Sequence, residues 1–332
     1  MKTELLLRQT RRRLPAFSEG EIEIAPIDRG GSDRRFYRVS CVPEQSLILV
    51  KYNLESAENR HYVRIAEFLT EHGIAAPKIY FHDPKEGLIW VEDLGVTDLF
   101  NSREDPWLVR GALYQSALDE IAKLHELPQS EWSELDGQMP PEFNSALYRW
   151  EQNYFFENCL GRIFGVDEEN QRELASLPAL TEIADRLAGL PRVLVHRDFQ
   201  SQNIIVRAGH AYLIDFQGMR PGLAEYDLAS LIFDPYVKLA DAEREELCSY
   251  YVEHRGLRSL EQMRKTLRFC AMQRLMQALG AYGFLGLVKG HRHFLAHVPA
   301  ALDSLRNVIA EIDLLQPLGA ALASLPKNGR IH

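Results

Sequence analysis

Val195-His196-Arg197-Asp198-Phe199-Gln200-Ser201-Gln202-Asn203, running into the apolar Ile204-Ile205-Val206, is the stretch on which the fold turns. An aspartate with an asparagine five residues on, in a loop between short apolar runs, offers what phosphoryl transfer to an alcohol needs. That is a carboxylate beside the attacking hydroxyl and an oxygen ligand for magnesium. Twelve residues after Asn203 a second carboxylate closes another apolar run, in Tyr212-Leu213-Ile214-Asp215-Phe216-Gln217-Gly218, well placed to bridge metal and phosphates. Either carboxylate alone reads most simply as a cap or turn residue. Their spacing, with a hairpin between them, is what argues for chemistry.

Upstream, the first hundred residues read as strands. Residues 21–27 alternate polar and apolar, 35–42 hold aromatic and β-branched residues, and 47–52 are almost continuously apolar. Two further strands are expected at 78–82 and 87–91, turned by Asp83-Pro84. Between the third and fourth, residues 57–72 carry Tyr62, Ile65, Ala66 and Leu69 at helical spacing and stop at Gly73. Past Gly95 the pattern changes. Asp105-Pro106 opens a helix to about Leu127, and helical periods recur at 142–163, 169–189, 239–254, 259–286 and 291–314. Only 193–195, 204–206 and 212–214 read as strands there. The expected architecture is α+β: a β-rich lobe over 1–94 and a mostly helical lobe over 95–332.

Composition narrows the classes. With 332 residues, 46% hydrophobic and 26% charged, the chain can bury a large core and is not globally disordered. A formal net charge of -9 argues against nucleic acid as a bulk electrostatic partner. Cys41, Cys159, Cys248 and Cys270 are far apart and form no CxxC pair, which argues against zinc or a disulfide framework and for a reducing cytoplasm. No apolar run follows Arg11-Arg12-Arg13, and the most apolar stretch, 278–288, is too short to span a bilayer. A soluble cytoplasmic protein with no membrane partner is expected.

The motif His196-Arg197-Asp198 with Asn203, then Asp215-Phe216, resembles the catalytic loop and metal-binding segment of the protein-kinase superfamily. Glu225-Tyr226-Asp227-Leu228-Ala229-Ser230-Leu231 follows only ten residues after Asp215, which leaves no room for a protein kinase's activation segment. That spacing is similar to aminoglycoside phosphotransferases, choline kinases and related small-molecule kinases. The resemblance implies ATP and Mg2+ as cofactors and a two-lobe protein-kinase-like fold. It makes Asp198 the base or hydroxyl-orienting residue and Asn203 and Asp215 the metal ligands. Asp227 braces the catalytic loop, and His196 and Arg197 hold its shape.

The same resemblance gives roles to the first lobe. Gly30, Gly31 and Ser32, between two expected strands, suit a phosphate-covering loop, although a plain Gly-Gly turn would look the same and GxGxxG is missing. Lys51, ending an apolar strand, is by itself a surface gatekeeper; by resemblance it meets the α- and β-phosphates, held by a helix glutamate. The sequence departs from the pattern there, since that position falls near Tyr62. Glu58 and Glu67 are substitutes, with Glu58 favoured. Residues 92–94 resemble the interlobe hinge, so the Glu92 and Leu94 backbone is expected to hydrogen-bond adenine.

The acceptor is less legible. Residues 30–39, Asp215-Phe216-Gln217-Gly218 and residues 271–280 resemble a bacterial branch of cell-wall sugar kinases, which phosphorylate N-acetylmuramate and N-acetylglucosamine at the anomeric hydroxyl. Arg149 and Glu151 on one helix and Arg274 on another are candidate contacts to an amino sugar, with either arginine a partner for a lactate carboxylate. An aminoglycoside or amino-alcohol acceptor, and a kinase-like nucleotide-binding regulator without turnover, are the alternatives.

Overall fold

The computed structural model describes residues 2–17, 21–27, 34–41, 45–55, 57–256, 259–326 and 329, with the side chains of Lys2, Ala57, Glu58 and Arg60 outside that set. The apolar runs of the first lobe form β1 (Ile22–Ile27), β2 (Arg35–Cys41), β3 (Gln45–Lys51), β4 (Ile79–Asp83) and β5 (Leu88–Glu92). They make one antiparallel sheet in the order β1-β2-β3-β5-β4. Register decides which side chains share a face. Phe36 stands opposite Val50, Arg38 opposite Ile48 and Arg35 opposite Lys51, and directly opposed residues point the same way.

One face therefore carries Phe36, Arg38, Ile48 and Val50. The other carries Leu47, Leu49 and Lys51 and packs into a small core with Val39, Leu88 and Trp90. That second face is covered by α1 (Lys2–Arg13), which contributes Leu6. The Trp90 indole N–H donates to Thr10 Oγ1 at 2.8 Å, and Thr10 donates to the Leu6 carbonyl. This helix corrects the expectation that the first hundred residues are strands. Its sequence, dominated by polar residues and arginines, shows little apolar periodicity.

Between β3 and β4, α2 (Ala57–Glu71) buries Tyr62, Ile65, Ala66 and Leu69, as their spacing requires. The connection after β5 is pinned on both sides. Arg38 donates to the Asp93 carboxylate at 2.7 Å and to the Gly95 carbonyl at 3.2 Å. The Val206 N–H donates to the Thr97 carbonyl at 2.8 Å, and the Leu213 N–H ties the second lobe to the link between α2 and β4 through the Ala75 carbonyl, also at 2.8 Å.

The second lobe is mostly helical: α3 (Trp107–Glu126), the short α4 (Gln129–Trp132), α5 (Ser145–Phe155), α6 (Glu168–Ala175), α7 (Pro178–Ala188) and α8 (Ala224–Ile232). It continues with α9 (Asp241–His254), α10 (Leu260–Gly283), α11 (Val298–Ala310) and α12 (Gln316–Ser324). The period expected at 169–189 is split, because Pro178 starts a new helix at its first turn. Two small ladders carry the catalytic motifs, β6 (Val193–Val195) with β9 (Arg220–Gly222) and β7 (Ile204–Arg207) with β8 (His210–Leu213). α10 packs closely on α5 and the helical turn after it: a Cβ on Gly280 would meet the Tyr154 carbonyl oxygen at 2.9 Å, and one on Gly283 would collide with that of Asn158, just past α5. Among the described residues no helix is long and apolar enough to cross a membrane.

Candidate active site

Residues 196–203 are held as a loop by two buried carboxylates from outside it. Asp227, on α8, accepts from the backbone N–H groups of His196 and Arg197, each at 2.7 Å. It also pairs with His125 Nε2 at 3.1 Å, and the other nitrogen of that ring meets the Tyr251 hydroxyl at 2.7 Å. Burial drives the His125 pKa down, so the ring is neutral and Nε2–H donates to Asp227. At the far end, Asp234 accepts from the Ser201 N–H at 2.8 Å. With these donors satisfied, Arg197 sits at φ 78, a left-handed conformation that a free loop rarely keeps. The fully buried His196 donates from Nε2 to the Ile214 carbonyl at 3.0 Å, tying the loop to the strand before Asp215.

Asp198 projects from this loop between two guanidinium groups, Arg197 Nη1 at 3.4 Å and Arg274 Nη2 at 3.6 Å. Burial opposes its ionisation, but the charges of Arg197 and Arg274 outweigh that and hold the carboxyl below its usual range. Arg274 is itself fixed by Ser230 Oγ at 3.0 Å, Gln277 Oε1 at 2.6 Å and Gln200 Oε1 at 3.1 Å. Asn203 donates its amide to the Asp198 carbonyl at 2.9 Å, which leaves its side-chain oxygen as the acceptor a cation can use. Asp215 stands at φ 64, its side chain 40% exposed.

Asn203 and Asp215 line one cleft of about 570 Å³ beneath the sheet. Its slot is apolar, with Ile48, Val50 and Val91 above and Ile205 and Ile214 below, and with Glu92 and Leu94 at the connection between lobes. Hard oxygen donors on two residues, with no cluster of three or more His, Cys, Asp or Glu among the described residues, fit a magnesium ion that keeps waters and phosphate oxygens. The lining also includes the aromatic rings of Tyr236, His293, Phe294 and His297. The Tyr236 and His297 rings lie 4.5 Å apart, and Tyr236 hydrogen-bonds Tyr282.

The positions expected from sequence separate clearly. Asp198 meets Arg274 and, through its carbonyl, Asn203, while Asn203 and Asp215 line the cleft together with Glu92 and Leu94. Gly30, Gly31 and Ser32 lie outside the described residues, as does the Glu58 side chain; Glu67 is exposed. Lys51 is a correction: it is exposed on the sheet face that α1 shares, while its neighbour Val50 lines the cleft. Glu151 is another correction: at 1% exposure it is too deep to meet an acceptor. It accepts from the Tyr226 hydroxyl at 2.7 Å, its Oε2 has no hydrogen-bond partner, and burial raises its pKa to about 7. Arg149 is exposed, two residues and hence some 200° around α5 from Glu151.

Sequence reading missed Arg34, Asp234 and the aromatic lining. Arg34 lines the cleft and donates to Asp215 and Gln217, each at 2.8 Å. Phe233-Asp234-Pro235-Tyr236, directly after the helix that carries Asp227, was the available signal for the latter two.

A sheet lobe, a helical lobe and, between them, a cleft lined by Asn203 and Asp215 with the Asp198 loop beside Asn203 define a protein-kinase-like phosphotransferase. The chain belongs to the APH phosphotransferase enzyme family, whose model matches residues 23–264. It is 25% identical over 317 residues to an N-acetylmuramate/N-acetylglucosamine kinase of Pseudomonas aeruginosa, covering 92% of this chain and 89% of that protein. Among solved structures, an ethanolamine kinase of Plasmodium vivax superposes with a TM-score of 0.66 at 18% identity, over 96% of this chain and 89% of that one. An ADP-bound aminoglycoside phosphotransferase, APH(2'')-Ib, gives 0.62 at 13% identity, over 93% and 99%.

Proposed function

We propose that the protein is an ATP- and Mg2+-dependent kinase that phosphorylates the anomeric hydroxyl of an N-acetylated amino sugar, with residues 1–94 gripping the nucleotide and 95–332 carrying the base and acceptor site. The observation that carries this reading is that Asn203 and Asp215 line one cleft with an apolar set of Ile48, Val50, Val91, Ile205 and Ile214, and that Asn203 is hydrogen-bonded to the Asp198 carbonyl. The near full-length likeness to a kinase named for N-acetylmuramate and N-acetylglucosamine supports the acceptor class.

Asp198 orients the sugar hydroxyl and takes its proton as the new oxygen–phosphorus bond forms and the bond to the departing diphosphate breaks. Held ionised by Arg197 and Arg274, it is a weak base that works mainly by position. Mg2+ at Asn203 and Asp215 supplies charge neutralisation for the phosphates. The Glu92–Leu94 backbone receives the adenine edge, and the rings of Tyr236, Phe294 and two histidines offer a pyranose an aromatic platform.

ADP release with Mg-ATP, measured across N-acetylmuramate, N-acetylglucosamine, choline, kanamycin and water, tests the assignment. Turnover on the N-acetyl sugars, with a sugar 1-phosphate seen by phosphorus NMR, is the expected result. Turnover on choline or kanamycin alone overturns the sugar reading, and nucleotide binding without turnover on any acceptor favours a regulator.

A further inference from the structure

The cleft has a cation, but it is not the one the strand motif suggests. Along β3 the alternation gives Ile48 and Val50 to the cleft and Leu49 and Lys51 to the face under α1. Bringing Lys51 inward would require a one-residue slip of β3, which would also drive Leu47 and Leu49 out of the core they share with Trp90. The usual counterpart of such a lysine, a carboxylate on the following helix, is equally displaced: among the described residues α2 gives the cleft Tyr62, stacked on Phe216 at 4.9 Å.

Arg34 occupies the place thus vacated. It lies just before β2 on the same side as Phe36, and its side chain is 9% exposed. Its guanidinium carbon lies 5.8 Å from the Phe36 ring centre and 6.0 Å from that of Tyr62. One arm donates to Asp215 Oδ1 and the other to Gln217 Oε1, each at 2.8 Å, and Gln217 in turn donates to Asp215 at 2.8 Å. The guanidinium is therefore already beside the carboxylate that faces the phosphates. Its planar fork suits phosphate oxygens better than a lysine's point charge does. The second arginine of that face, Arg38, is committed to Asp93 at the interlobe connection.

We infer that Arg34, delivered from the start of β2, is the side chain that binds the nucleotide's phosphates, and that Lys51 takes no part. This rests on the reading of the cleft as a nucleotide site. Arg34 pairs with Asp215 and would bridge that carboxylate to the phosphate chain of a bound nucleotide.

Calorimetric titration of adenosine and of ADP with Mg2+ into the full chain and its Arg34→Ala, Arg34→Lys and Lys51→Ala variants tests this. Arg34→Ala weakens ADP by about 10- to 100-fold, the range of lost charge-assisted hydrogen bonds, and leaves adenosine within about twofold. Arg34→Lys recovers part of the loss, and Lys51→Ala matches the parent for both ligands. Loss of ADP affinity in Lys51→Ala but not in Arg34→Ala overturns the inference. So does an equal loss of adenosine and ADP in Arg34→Ala, which would make Arg34 a support of the cleft's shape. A parent protein that binds neither ligand sinks the nucleotide reading itself, and this inference with it.

Discussion

The catalytic loop and the strand wall above it face the same cleft, yet they are built on opposite principles. In the loop, each functional side chain is placed by hydrogen bonds to named partners close in the motif or in the helix that follows. Asp227 and Asp234 hold backbone N–H groups of His196, Arg197 and Ser201, and Asn203 holds the Asp198 carbonyl. In the wall, the direction of every side chain is set by a register shared with other strands and by whatever covers the far face. Residue identity at a spacing is thus informative for a loop of the first kind. For a strand it fixes a position but not a side of the sheet.

The largest effect that would break this contrast is at Asp198. Asp198→Asn keeps the shape of the loop and should lower kcat by about 10²–10⁴-fold, with ADP affinity nearly unchanged. Steady-state rates together with a nucleotide titration decide it, and unchanged turnover removes Asp198 from its role. Next is Asp227→Ala, which strands two backbone N–H groups and the ring of His125 in the interior. A loss of about 3–5 kcal/mol in unfolding free energy by urea titration is expected; a loss below 1 kcal/mol would mean the loop stands without its clamp.

Glu151 sharpens the comparison by pH. Its carboxyl is raised from the ordinary 4.5 to about 7 by burial. The unfolded chain gives up this proton near 4.5 while the folded chain keeps it to about 7, so stability falls as pH rises through that window and levels off above it. The span corresponds to about 3 kcal/mol. Glu151→Gln keeps an acceptor for the Tyr226 hydroxyl and removes the titration, so its stability relative to the parent should climb between pH 4.5 and 7. A difference that stays flat across those pH values would show that Glu151 titrates normally. The smallest effect is assigned to the strand wall: Lys51→Ala should leave kcat and KM within about twofold and stability within about 0.5 kcal/mol. A large fall in kcat/KM would turn the strand over.

Much of the second lobe and the five strands of the first were legible, because long apolar periods and turn residues act locally. The motif Asp198, Asn203 and Asp215 was legible because its spacing is fixed by one hairpin, β7 and β8. Lys51 was misread for want of α1. A helix whose buried contribution is little more than Leu6 and Thr10 leaves almost no periodic signal, and without it the outer face of the sheet looks like solvent. Arg34 was passed over because it sits beside Arg35, and only the register with β3 tells the two apart. Glu151 and Arg149 were grouped by composition, whereas the turn of α5 sends one to the core and the other to water.

The line of contacts behind the loop has a further consequence. From Arg255 through the Tyr251 hydroxyl, His125 and Asp227 to the N–H of His196, hydrogen bonds of 2.9, 2.7, 3.1 and 2.7 Å run from the end of α9 to the residue two before Asp198. If the proposed site is right, sequence drift along that line is constrained by turnover although none of its side chains borders the cleft. In a laboratory selection for faster or slower variants, substitutions should accumulate along α3 and α9 as well as around the cleft.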